Sequence, residues 1–137
     1  MLPDGIYHVT GRGVARTAIF RDQVDYEEFR NHLSRVCDRH GWTMHAYCLM
    51  PNHYHLIVQA TREDLSRGMH RLNGRYAQRF NRRYDRCGHL FQNRFSSYVI
   101  ASERHFERAL TYVRANPVEA GLCARIGDWP WADGPSE

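Results

Sequence analysis

The sequence predicts an α+β fold: an antiparallel sheet with helices packed on one face. Three observations carry that expectation. Short stretches that alternate apolar and polar residues are interleaved with longer ones whose apolar residues recur every three or four positions. Glycine, proline and asparagine mark the joints between them. The resulting order, β-α-β-β-α-β-α, is that of a split β-α-β, or ferredoxin-like, sandwich.

Each element has its own signal. Ile6 to Thr10, within GIYHVTGRG, alternates and runs into glycines, so it reads as the first strand. In DYEEFRNHLSRVCDRHG, Phe29, Leu33 and Val36 fall at helical spacing and Gly41 supplies the stop. WTMHAYCLM alternates again, with Met44, Ala46, Cys48 and Met50 expected on one side. Pro51 and Asn52 make a turn, and HYHLIVQA returns as the partner strand. A long helix follows over roughly Glu63 to Tyr84, its apolar stripe being Leu65, Met69, Leu72, Tyr76 and Phe80. DRCGH breaks it and FSSYVI is a further strand. SERHFERALTYVRA is the last helix, with Ser102 as N-cap and Phe106, Leu110 and Val113 on its buried side. The tail DWPWADGPSE is expected to be irregular, fraying over 132–137.

The chain has 137 residues, enough for a single domain (1–137) with one core. Its 42% hydrophobic and 25% charged residues are those of an ordinary globular protein. No apolar run approaches the roughly 20 residues that span a bilayer. The N-terminal MLPDGIYHVTGRG lacks the basic segment and apolar stretch of a secretory signal. A cytoplasmic protein with no membrane partner is therefore expected. Cys37, Cys48, Cys87 and Cys123 are scattered, without a C-x-x-C pair, which argues against a zinc knuckle or a disulfide framework. The net charge is +4, and all 19 basic residues are arginine. Arginine suits phosphate and stacks on bases, although a GC-rich coding bias would also favour it.

The chemistry-bearing stretch is MPNHYHLIV. On a strand, residues i and i+2 share a face, so His53 and His55 stand side by side while Tyr54, Leu56 and Val58 face the other way. Two imidazoles placed so are either half of a metal site or ordinary polar residues on a strand. A metal site needs at least one more protein ligand and open positions. The last helix offers Tyr112 and, four residues on, Asn116, which share a helix face. Tyr112 would supply a nucleophilic phenol and Asn116 an amide oxygen. NPVE also reads as an N-cap followed by proline at the first helical position, in which case Asn116 caps a separate short helix.

Four stretches together, YHVTGRGVARTAIFRD, AYCLMPNHYHLIV, GHLFQNRF and YVRANPVEAGL, resemble one family. They look like the IS200-like tyrosine transposases with an H-hydrophobic-H motif, and among these the REP-associated branch. The resemblance runs from about Ile6 to Trp131. It implies that His53 and His55 bind a divalent metal, Mg2+ or Mn2+, with Asn116 completing the site. It implies that Tyr112 is the nucleophile, cutting single-stranded DNA beside a hairpin and forming a 5′-phosphotyrosine, in the course of DNA transposition. The middle residue of the motif, usually aliphatic, is Tyr54 here.

DNA contacts are expected from an arginine ladder on the long helix, Arg67, Arg71, Arg75 and Arg79, continuing into Arg82, Arg83 and Arg86, and from Arg12 and Arg94 in the flanking motifs. A solvated charged face is the bland alternative for the ladder. The expected partner is single-stranded or hairpin DNA, and the protein a monomer or a homodimer. Another functional class fits the same residues: a catalytically silent hairpin-binding protein derived from a transposase.

Overall fold

The computed structural model describes residues 4–133. Strand β1 (Gly5–Arg12) leads through a short 3-10 turn into helix α1 (Gln23–His40). Strands β2 (Thr43–Met50) and β3 (His53–Ala60) form the hairpin, and helix α2 (Arg62–Arg83) follows. Strand β4 (Ser96–Val99), helix α3 (Glu103–Glu119) and a two-residue strand β5 (Ala132–Asp133) complete the described residues. The sheet order is β4-β1-β3-β2-β5, antiparallel throughout. Among the described residues no helix is long and apolar enough to cross a membrane.

The helices start where side chains satisfy their first backbone donors. Asp22 accepts from the Asp25 N–H, Thr61 from that of Asp64 and Ser102 from that of His105, each at 3.1 Å. Such caps contribute about 0.5–2 kcal/mol each. Gly41 ends α1 in the left-handed region, φ 67°, where a side chain would be strained.

The expected split β-α-β architecture is present, with one difference in how the helices cover the sheet. Helices α1 and α2 share a face, packing Phe29, Leu33, Leu65, Met69, Leu72 and Tyr76 onto Val9, Tyr54, Leu56 and Val58. Each large side chain buried there contributes about 1.5–3 kcal/mol. Helix α3 lies on the opposite face, where Ala109 and Val113 meet Ala46, Cys48, Met50 and Ile57. The reason is in β2 and β3, which carry apolar residues on both sides; a sheet apolar on both faces needs a cover on each. That second cover makes the site.

Three local expectations change. Met44 does not share a side with Ala46, Cys48 and Met50: the β2–β3 register shifts between Met44 and Ala46, and this bulge turns Met44 toward the α1–α2 core. Helix α3 is continuous through Asn116, so Asn116 lies within the helix and caps nothing. Pro117 removes one backbone donor there, but its ring is buried in series with Ala109 and Val113. The tail is irregular over 128–131, as expected, but it is anchored to the sheet and α1 and ends in the two-residue strand Ala132–Asp133. The Trp129 indole donates to the Leu49 carbonyl at 2.8 Å, and the Trp131 ring stacks on Tyr26 at 5.0 Å. Ala132 and Asp133 then pair with Cys48 and Tyr47. Two tryptophans with partners on β2 and α1 outweigh the turn-rich composition. The rest of the expected frayed segment, 134–137, lies outside the described residues.

Candidate active site

Strand β3 delivers the two histidines. Tyr54, between them, is fully buried in the α1–α2 core and its hydroxyl donates to Asn73 Oδ1 at 2.6 Å. With Tyr54 anchored on that side, alternation turns His53 and His55 toward the α3 side. Their ring centroids are 5.1 Å apart.

Helix α3 brings the other half. The Tyr112 ring meets His55 edge-on at 5.4 Å and His8 at 5.9 Å. One turn later, Asn116 lies beside the His53 side chain. Tyr112 is 48% exposed and open to solvent. The four residues singled out from sequence, His53, His55, Tyr112 and Asn116, therefore converge in one place.

The surroundings set the state of the imidazoles. The His53 Nδ1–H donates to Asn52 Oδ1 at 2.8 Å, which leaves the lone pair on Nε2. His55 Nδ1 lies 3.1 Å from both His8 Nε2 and Thr10 Oγ1. Burial pushes His53 below its ordinary pKa, the Arg12 charge adds to this, and the neighbouring Asn116 opposes it. Burial, followed by His53, His8 and Arg12, pushes His55 down to about 3. His8 is lowered by burial and by His105. Depressed values keep these rings neutral near pH 7, as metal ligands must be.

Among the described residues no group of three or more His, Cys, Asp or Glu side chains is placed to hold a metal ion. The donor set on offer is two neutral imidazoles and one amide. That set fits a divalent cation which keeps open positions for oxygen ligands, as magnesium and manganese do. Arg12 sits opposite His53 in the β1–β3 register, exposed at the rim of the site.

The remaining arginines are dispersed. The ladder runs along the α1–α2 layer, across the sheet from the histidines. Arg67 pairs with Glu63, Arg79 with Glu28, and Arg83 bridges Asp22 and Asp25. Arg82 is exposed near the end of α2. Arg71 and Arg75 line a cleft of about 190 Å³ with Arg35, Arg39 and His32 from α1. Arg94 lines a broader cleft of about 980 Å³ between α2 and the 88–97 segment, along with Arg67, Arg71, Phe91 and Phe95. Sequence reasoning did not find His8, Thr10 or Asn52. Alternation places His8 and Thr10 on one face of β1, but only the register with β3 puts them against His55.

The family model described as "Transposase IS200 like" matches residues 2–116. The chain belongs to the IS200-like transposase family. A Haemophilus influenzae protein named as a candidate REP-associated tyrosine transposase is 27% identical over 121 residues, covering 79% of this chain and 68% of that protein. Among solved structures, a REP-associated tyrosine transposase bound to a REP hairpin superposes with a TM-score of 0.79 at 19% identity, over 96% of this chain and 77% of that one. The structure of a candidate transposase from Deinococcus radiodurans gives a TM-score of 0.59 at 18% identity, over 91% and 95% of the two chains. At these identities the two structural likenesses speak for the fold of this IS200-like transposase.

Proposed function

We propose that this IS200-like transposase cuts and rejoins single-stranded DNA beside a hairpin, with Tyr112 as nucleophile and His53, His55 and Asn116 as ligands of a divalent metal. The observation that carries this reading is the convergence of a half-exposed phenol with two neutral imidazoles and an amide, contributed by α3 and β3. The Tyr112 Oη attacks phosphorus, forming a tyrosine O–P bond as the P–O3′ bond breaks. The phenol proton passes to solvent, to which Tyr112 is open, and the departing 3′ oxygen takes one up. The phosphoester energy is retained in the 5′-phosphotyrosine, so attack by a 3′-OH reverses the step and rejoins the strand. The bound metal would supply charge stabilisation at the phosphate oxygens. Arg12, beside the histidines, would orient the phosphate from the rim.

The hairpin partner is supported by the superposed REP-associated tyrosine transposase, which is bound to a REP hairpin. We assign the hairpin phosphates to the cationic groove of Arg71 and Arg75, extended by Arg35 and Arg39. That groove lies across the sheet from Tyr112, so the stem held there is separated from the nucleotides being cut.

Covalent trapping tests the reading. Wild type, Tyr112→Phe and His53→Ala with His55→Ala are incubated with labelled hairpin DNA carrying single-stranded flanks, plus Mn2+ or Mg2+. A metal-dependent, SDS-resistant adduct in wild type that both variants lack is expected. Tight hairpin binding by all three with no adduct in any would replace this reading with a silent hairpin-binding protein. An adduct that survives Tyr112→Phe would mean a different nucleophile.

A further inference from the structure

The histidine pair has a third member. His8, on β1, points at His55 from the neighbouring strand: its Nε2 is 3.1 Å from His55 Nδ1. Thr10 Oγ1 is 3.1 Å from the same nitrogen. Register explains both contacts. Thr10 is directly opposite His55, and His8, opposite Ile57, is its diagonal neighbour on the same face. His55 is 3% exposed, so water has little access to replace these partners. The His8 ring also lies edge-on to Tyr112 at 5.9 Å, wedged between the buried histidine and the helix that carries the phenol.

A neutral imidazole has one N–H and one lone pair. The contact between His8 and His55 therefore has two arrangements. In one, His55 donates from Nδ1 to a bare His8 Nε2, and its own Nε2 lone pair faces the site. In the other, His8 donates from Nε2 to His55 Nδ1, and His55 presents an N–H that no metal can use. Thr10 does not choose between them, because a hydroxyl rotates to donate or accept. The two rings are coupled: His55 can donate from Nδ1 to His8 only when His8 Nε2 is bare.

We infer that His8 is a positioning residue that holds His55 in the tautomer able to bind a metal through Nε2. This rests on the reading of His53 and His55 as metal ligands. Partners of this kind typically change metal affinity by about 10- to 100-fold when removed. His8→Phe keeps a flat ring between His55 and Tyr112 but offers no acceptor. His8→Gln offers an amide oxygen near the position of Nε2.

The test is a Mn2+ titration of wild type, His8→Phe, His8→Gln, and His53→Ala with His55→Ala, followed by electron paramagnetic resonance. Imidazole 15N spectra of magnesium-loaded wild type accompany it. Wild type is expected to bind and the double-alanine variant not to. His8→Phe is expected to bind about 10- to 100-fold more weakly, and His8→Gln to recover most of that affinity. In the spectra, His8 Nε2 and His55 Nε2 are expected without protons. Equal Mn2+ affinity of wild type and a folded His8→Phe would overturn the inference, as would His8→Gln binding as weakly as His8→Phe. A proton on His8 Nε2 in the magnesium-loaded wild type would overturn it too, whether or not any variant folds. Equal binding by wild type and the double-alanine variant would remove the metal site itself, and the inference with it.

Discussion

Gly11 is a position at which the framework of the site is vulnerable to a single methyl group. It pairs with Tyr54 across β1 and β3, and its neighbours Thr10 and Arg12 pair with His55 and His53. A Cβ on Gly11 would stand 2.3 Å from Tyr54 Cζ, 2.4 Å from Cε2 and 2.5 Å from Oη. Carbon atoms in contact prefer about 3.5–4.0 Å, so the two would overlap severely. The ring has nowhere to go: it is fully buried, packs on Phe29 at 4.8 Å and is tied to Asn73 at 2.6 Å. Gly11→Ala must overpack the β1–β3 pair and displace the ring, breaking the Tyr54–Asn73 hydrogen bond. Overpacking costs about 1–3 kcal/mol and a broken buried hydrogen bond about 1 kcal/mol, so the expected destabilisation is about 2–4 kcal/mol. Urea denaturation measures it. The control is Tyr54→Leu, which removes the far end of the ring. In that background Gly11→Ala should cost less than about 1 kcal/mol, and the difference is the coupling energy of the pair. Equal cost in both backgrounds would refute the clash with the ring.

Two further predictions concern charge. Arg71→Ala with Arg75→Ala is expected to weaken hairpin binding and to flatten its dependence on log salt by about one unit for each phosphate the two arginines neutralise. It should not destabilise the protein, since Arg71 is already repelled by Arg39 and Arg75; unchanged hairpin affinity at low salt would remove the groove from the DNA interface. His8, His32, His53 and His55 are all held below the ordinary 6.5, chiefly by burial. Below pH 6.5 the unfolded chain takes up protons that the folded protein refuses, so stability should fall with pH there and be insensitive to these groups above pH 7. For His55 the decline continues down to about pH 3. Urea midpoints at about pH 7 and pH 5 measure the slope, and His32→Gln, away from the candidate active site, should reduce it; an unchanged slope in that variant would exclude His32 from the effect.

Much of the site is legible along the chain because its signals are local. His53 and His55 share a face because strand alternation has a period of two, and Tyr112 and Asn116 share one because they are a helical turn apart. Ser102 and Gly41 mark helix ends through a hydrogen bond and a dihedral angle that span only a few residues. Where local signals compete, packing decides. Asn116–Pro117 has the pattern of a cap, yet the helix runs through both and the proline is buried. Met44 fits the alternation of its strand, yet one extra residue in the β2–β3 pairing turns it over. The arginine ladder is a true helical stripe, but its members differ in role: Arg79 and Arg83 meet carboxylates on α1, while Arg71 and Arg75 meet other arginines.

By itself the sequence determined the main elements and their order and, apart from Met44 at the β2 bulge, which residues of each share a face, since periodicity and capping act within a few residues. Tertiary structure decided which faces meet. That α3 crosses to the side opposite α1 and α2, bringing Tyr112 to His55, follows from a sheet with two apolar faces to cover. That His8 and Thr10 reach His55 follows from the β1–β3 register, a contact between residues more than forty positions apart. Pairings at such separation are fixed by the joint packing of the whole sheet and its helices, and no short stretch of the chain contains them.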